Sequence, residues 1–209
     1  MRRSSRTTYS PVDRRRKRIH LNGALAALVV AAVILSGCGA KSERDQAYAA
    51  LSAGLRAQSA GQLSAAADQY RKAIAHDPSN KYAYYNLGLV NQLSGLNDAA
   101  EQNYRAALQI DPNFIAALYN LAIIRAAASP QEAEQLYRHV IALQPNGAAP
   151  HLNLGFLLKS LNRKDEAKAE FVSAMTLDPS FASHVPVDFR TPTKPVAAAS
   201  PAAPVKRSP

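Results

Sequence analysis

The 209-residue sequence has no tryptophan and a single cysteine, Cys38. One thiol excludes an intramolecular disulfide, so no covalent brace holds the fold. Long apolar runs are scarce too. The clean one, from Ala24 to Leu35, is about twelve residues, short of the roughly 20 a helix needs to span a bilayer. The five histidines, His20, His76, His139, His151 and His184, lie far apart, and none has metal-ligand spacing. No phosphate-cradling glycine loop or nucleophile elbow is present. The expectation is therefore no catalytic residue, no metal, no cofactor and no enzymatic activity. The net charge of +10 is unevenly placed. Residues 1–37 carry eight basic residues against one acidic, whereas residues 46–183 carry eleven of each. A basic array would suggest nucleic acid. A neutral one does not, so the excess charge is assigned to the two ends and no nucleic-acid partner is expected.

What is present is a period. Pro78, Pro112, Pro145 and Pro179 are separated by 34, 33 and 34 residues. With each proline at place 32 of a 34-residue unit, place 8 reads Gly54, Gly88, Ala122, Gly155 and place 20 reads Ala66, Ala100, Ala133, Ala167. Place 24 reads Tyr70, Tyr104, Tyr137, Phe171, and place 27 reads Ala73, Ala107, Val140, Ala174. Small residues let two helices approach closely, the aromatic fills the space beside them, and proline cannot continue a helix. Each unit then reads as two antiparallel helices and a stop. One such hairpin cannot bury its apolar face, but stacked units share a continuous core.

This pattern resembles the tetratricopeptide repeat, TPR, over residues 44–182. The resemblance implies an all-α, right-handed superhelical solenoid of about four helix-turn-helix repeats, at about 47–80, 81–114, 115–147 and 148–181. In unit two, Asn97 is the expected N-cap of the second helix, with Asp98 and Glu101 near its positive end. Unit three is one residue short, and Ser129-Pro130-Gln131-Glu132 reads as a capping box with proline at the first helical position. His76 and His139 fall near the ends of second helices, where a capping or surface role is expected. After unit four, Phe181 to Val185 begins a further helix that Pro186 interrupts. Residues 183–209, rich in proline and alanine with four basic residues against one acidic, read as a disordered tail. The tail serves as a spacer or contacts an anionic envelope polymer. The outer face of unit four is expected to lack full cover, leaving it to a second copy, a partner, or Val187 and Phe189 folding back. Self-association through that face is one consequence.

In TPR proteins places 2, 5, 6, 9 and 12 line a concave groove. The resemblance therefore points to Tyr48, Tyr82, Tyr85, Leu89, Tyr119, Ile123 and Phe156 as packing surface. Asn86, Asn120 and Asn153 form a ladder at place 6. Place 12 supplies Gln58, Gln92, Ala126 and Lys159. Two readings of the asparagines stand: they clamp the backbone of an extended peptide, or they bond locally and solvate the groove. The basic residues that grip a peptide's carboxylate in some TPRs are largely missing, Lys159 excepted. The expected partner is a protein or peptide segment.

The N-terminus has its own signal. Arg14-Arg15-Arg16-Lys17-Arg18, the apolar run and Leu35-Ser36-Gly37-Cys38 follow the plan of a signal peptide over residues 1–37. The last four residues resemble the lipobox of bacterial lipoproteins. That implies cleavage before Cys38 and lipidation of Cys38, including a fatty-acyl (palmitate) chain. Residues 39–43 would then tether the repeats close to the membrane. An uncleaved N-terminal helix is the alternative. Either way the positive-inside rule puts the repeats on the exoplasmic or periplasmic face of a bacterial envelope. The leader is long for this family, consistent with translation from a start near Val12, and its paired arginines also permit a twin-arginine reading. Together these features describe a membrane-anchored TPR adaptor. Family analogy offers an alternative, an assembly or pilot lipoprotein of an envelope machine such as a pilus or secretion secretin. A self-associating structural protein is a further alternative.

Overall fold

The computed structural model describes residues 43–190. Within them eight α-helices follow one another, with no strand. They are α1 (43–59), α2 (Leu63–His76), α3 (Lys81–Leu93), α4 (Asn97–Ile110), α5 (Ile115–Ala128), α6 (Pro130–Leu143), α7 (Ala148–Ser160) and α8 (Lys164–Leu177). Two 3₁₀ turns, Pro179–Ser183 and Val187–Phe189, close the described chain. Helices α3 and α4, α5 and α6, and α7 and α8 form hairpins. The hairpins stack through α2–α3, α4–α5 and α6–α7. The architecture is the expected all-α TPR solenoid.

The second helix of each repeat is buried along one narrow stripe. Ala66, Tyr70 and Ala73 face the core in α2; Ala100, Tyr104 and Ala107 in α4; Ala133, Tyr137 and Val140 in α6; Ala167, Phe171 and Ala174 in α8. In each helix these lie at i, i+4 and i+7, one face of a 3.6-residue period. The first helices are sandwiched between two hairpins and bury more of their circumference. In α7, Leu152, Leu154, Gly155, Leu157 and Leu158 are all buried.

Place 8 is small because place 24 is large. A Cβ built on Gly54 would lie 2.5 Å from the Tyr70 ring, one on Gly88 2.7 Å from Tyr104, and one on Gly155 2.7 Å from Phe171. The turns between paired helices need a left-handed residue, supplied by Gly61 (φ 73°), Gly95 (φ 76°) and Asn162 (φ 60°). Asparagine enters that region more readily than most residues because its short polar side chain bonds locally. The third repeat, one residue shorter, has no such turn. Ser129 alone separates α5 from α6, ending one helix and starting the next.

Helix ends differ in part from expectation. The Asp-Pro stops behave as turns: Asp77, Asp111 and Asp178 each accept a backbone N–H two residues on, from Ser79 (3.0 Å), Asn113 (3.1 Å) and Ser180 (2.9 Å). At α6, Ser129 is the N-cap and Pro130 follows it, but no capping box forms. Glu132 is drawn instead to Arg105 (2.6 Å) and Arg125 (2.8 Å), because a charge-assisted bond outweighs one to a neutral amide. Asn97 opens α4 rather than capping it; Leu96 takes the cap position.

The C-terminal end is ordered further than residue 182. Residues 179–190 fold back on α8. Val185 is fully buried, and Phe189, 7% exposed, meets the Phe171 ring edge-on at 5.3 Å. Val187 points outward, 71% exposed. The expected pair Val187 and Phe189 is thus corrected to Val185 and Phe189. A 3₁₀ turn capped by Pro186 points Val187 outward and returns Phe189, four residues after Val185, to the helix. The face through which self-association was expected carries this cover.

Candidate peptide-binding groove

The first helices of successive repeats stand side by side, α3 next to α5 and α5 next to α7. Their shared surface is the candidate groove. Of the residues expected on it, Tyr48 (73% exposed), Leu55, Tyr82, Ile123 and Phe156 are exposed. Leu89 is half-buried. Tyr82 meets Phe114 edge-on at 5.5 Å, and the Lys81 ammonium sits 5.2 Å from the Tyr82 ring centre and 5.1 Å from that of Phe114. Lys81 also pairs with Asp111 at 2.5 Å. Phe156 packs on Phe171 at 5.0 Å. Lys159 is exposed at the far end.

The polar groove residues are tied into the array. Asn120 donates to the Tyr85 hydroxyl at 3.3 Å and Asn153 to the Tyr119 hydroxyl at 2.7 Å, each reaching one repeat back. Asn86 donates to the Tyr82 carbonyl of its own helix at 2.8 Å. Each amide of the ladder thus spends a donor locally, which favours the second of the two readings for that N–H.

Gln58 and Gln92 also look inward rather than to a ligand. They accept the hydroxyls of Tyr70 (2.6 Å) and Tyr104 (2.7 Å). In the last repeat place 24 is Phe171, which has no hydroxyl to satisfy, and place 12 is Lys159. The third repeat keeps Tyr137 but has Ala126 at place 12, so the Tyr–Gln partnership shows only once the helices are paired. Burial pushes the Tyr70 phenol up to about 12. Tyr104, Tyr119 and Tyr137 are raised for the same reason. These hydroxyls stay protonated and serve as neutral hydrogen-bonding groups.

Two hollows open between α5 and α7. One, about 600 Å³, lies at the start of both helices, against Ile115, Ala116, Tyr119, Val140 and Ala149. The other, about 350 Å³, lies further along, against Ile123, Ala126, Asn153 and Phe156. The Asn153–Tyr119 bond runs between them, since each hollow is lined by one of the two partners.

Charged side chains pair in two separate networks that meet on α6. Glu101, Arg105, Arg125 and Glu132 close a four-membered ring across α4, α5 and α6. Glu134, Arg138, Arg163 and Glu166 form the second, across α6 and α8, and Glu170, beside Arg138, brings in His151 of α7 at 2.6 Å. The Arg163 guanidinium, and that of Arg138 beside it, hold the Glu134 carboxyl below the usual range. Burial raises Glu132, but Arg105 and Arg125 outweigh it and the net direction is down. His76 meets Glu43 at 2.6 Å and His139 meets Asn113 at 3.0 Å, contacts that suit surface roles. Among the described residues no group of three or more metal-ligating side chains is assembled, and no helix is long and apolar enough to cross a membrane. Cys38 and the leader lie outside the described residues.

Comparison with known proteins agrees with this architecture. Models of the TPR repeat match residues 58–95, and of the tetratricopeptide repeat residues 82–114 and 148–181. The chain carries tetratricopeptide repeats and folds as a TPR solenoid, a scaffold class used for protein–protein interaction. No curated protein matches by sequence. Among solved structures, MamA is 20% identical with a TM-score of 0.62, covering 85% of this chain and 99% of its own. YrrB, described as a TPR protein with an unusual peptide-binding site, is 23% identical with a TM-score of 0.59, covering 64% and 70%. Pseudomonas aeruginosa pilF is 25% identical with a TM-score of 0.60, covering 68% of this chain and 65% of its own.

Proposed function

We propose that this protein is a membrane-anchored adaptor that holds a segment of a partner protein in its concave groove on the exoplasmic side of a bacterial envelope. The observation that carries the binding half is that Tyr48, Leu55, Tyr82, Ile123 and Phe156, at the inward places of successive repeats, are all exposed. Exposed apolar area grouped on one surface marks a place for a partner. Of the inward places, only place 12 of the last repeat, Lys159, bears a charge, so a strongly acidic peptide end has little to hold it. The fold likeness to YrrB, described as having an unusual peptide-binding site, supports the same use. The anchoring half rests on the sequence of residues 14–38.

Photo-crosslinkers placed at Tyr82 and Phe156 of the full chain, expressed in cells and followed by partner identification, test the groove. A shared partner at both positions, absent from a crosslinker at exposed Lys164 on α8, is the expected result. Equal labelling from all three defeats the groove reading. Recovery of a secretin would move the reading to the assembly lipoprotein. Metabolic labelling with an alkynyl fatty acid tests the anchor: label on the wild type and none on Cys38→Ser is expected, and an unlabelled wild type refutes lipidation.

A further inference from the structure

Four repeats allow the junctions to be compared with one another. Between α3 and α5 the groove edge is closed by the Tyr82–Phe114 ring pair, with Lys81 over both rings and paired to Asp111. The hollow behind them, about 550 Å³, has Lys81 and Asp111 in its wall and does not reach Tyr85. One repeat later, Ala116 stands in the place of Tyr82 and Gly147 in that of Phe114; Ile115 replaces Lys81 and Gln144 replaces Asp111. No ion pair or ring pair closes this edge, although Asp111 and Phe114 of the preceding repeat still stand in the wall. The hollow is now predominantly apolar and extends to Tyr119 in the groove itself.

The second hollow lies along the same valley. On α5 the two are lined by Ile115, Ala116 and Tyr119, then by Ile123, Ala126 and Ala127. Some eight residues at 1.5 Å rise put them roughly 12 Å apart. An extended chain advances about 3.3 Å per residue and repeats its side-chain direction every second residue. Residues i and i+4 therefore point the same way about 13 Å apart, which matches. Between the hollows an extended segment crosses the Asn153–Tyr119 hydrogen bond, where polar groups meet a backbone whose own N–H and C=O need partners. A helix needs none there.

We infer that the groove's specificity element is this pair of hollows between α5 and α7, which takes an uncharged, extended peptide segment carrying large apolar side chains four residues apart. This rests on the groove reading and names its ligand class. The preference for an uncharged segment follows from the surroundings: Asp111, the one charged side chain in the walls, is already paired with Lys81, so a ligand charge buried against Ile115, Tyr119, Ile123 and Phe156 finds no free partner and its desolvation is uncompensated.

The test uses the full chain and fluorescein-labelled, end-blocked dodecapeptides of serine, threonine and glycine bearing two phenylalanines. Separations of three, four and seven are compared with a single phenylalanine, by fluorescence polarisation. Burying one further aromatic side chain is worth at least about 1.5 kcal/mol, or about tenfold in affinity. Separation four is expected to bind at least about tenfold tighter than separation three or the single phenylalanine. Ala116→Tyr, which copies Tyr82, and Gly147→Phe, which copies Phe114, should each remove that advantage while melting like the wild type. Lys164→Ala, exposed on α8 and away from the hollows, should keep it. Equal affinity at separations three and four overturns the inference, as does tightest binding at seven, which would signal a helix, or an Ala116→Tyr protein that binds as before. Binding that ignores spacing yet is lost on Phe156→Ala overturns the inference but leaves the groove reading standing. No binding by any peptide overturns it too, and the groove reading is then decided by the crosslinks.

Discussion

At the scale of single residues, the fold turns on how close two helices come. Gly88 has no Cβ because the Tyr104 ring occupies that position, with its carbons 2.7 and 2.8 Å from where a methyl would sit. Gly95 has open space around it, and only its φ of 76° demands glycine. The two should therefore fail differently. Gly88→Ala, despite alanine's better helix propensity, is expected to cost about 2 kcal/mol through overpacking of a buried ring. Gly95→Ala is expected to cost about 1 kcal/mol through backbone strain alone. Urea denaturation of both variants checks the order, and a Gly88→Ala protein as stable as the wild type would refute the packing argument. The Tyr104–Gln92 bond supplies a second test at this scale. Tyr104→Phe should cost about 1 kcal/mol by leaving the Gln92 acceptor without its partner. The double variant Tyr104→Phe/Gln92→Lys, copying Phe171 and Lys159 of the last repeat, should recover part of it. Strict additivity in that cycle would mean the two side chains are not coupled.

At the scale of elements, the notable segment is the one after α8. It is too short and too proline-interrupted for the full helix that ends many such arrays, yet Val185 and Phe189 reach the hydrophobic cluster of the last repeat. Phe189→Ala should destabilise by about 3 kcal/mol, as buried phenylalanines do, and should unfold the last hairpin first. Val187→Ala should change stability by less than about 0.5 kcal/mol. Hydrogen exchange of α7 and α8 in both variants is the measurement, and equal protection in the two would show that the cover is ornamental. The α5–α6 connection shows a second feature of elements. Ser129 was legible as a boundary, but the capping box read from Glu132 does not form, because Arg105 and Arg125, brought beside it only by the fold, take its carboxylate.

At the scale of the molecule, two ion-pair networks bind the second, third and fourth repeats into a single body. Glu132, Glu134 and Glu166 all have carboxyls held below the ordinary range. Such a group binds protons less readily folded than unfolded, so its contribution is present above the unfolded value near 4.3 and is lost as pH falls through the folded one. The melting temperature is expected to be level from about pH 8 to 5 and to drop below about pH 4. Glu134→Gln, which weakens the contact to Arg163, should melt lower at neutral pH and show a shallower acid decline. A wild-type protein whose melting temperature is unchanged between pH 6 and 3 would show that these pairs contribute nothing.

The sequence alone determined the all-α class, the helix–turn–helix units and the face each second helix would bury. These follow from local rules, namely where glycine and proline stop a helix and which spacing makes an apolar stripe. Through the family resemblance it also offered a set of inward places as a candidate groove, which the crosslinks are to test. Only the tertiary structure decided what the inward polar residues do. Asn120 and Asn153 spend a donor on tyrosines 35 and 34 residues away, and Gln58 and Gln92 serve buried hydroxyls. The tertiary structure likewise decided that Val185 rather than Val187 covers the last repeat. It also located the apolar hollows where Ala116 and Gly147 meet. Each depends on which side chains from distant parts of the chain face one another, and a period read along the sequence carries no information about the space between two helices.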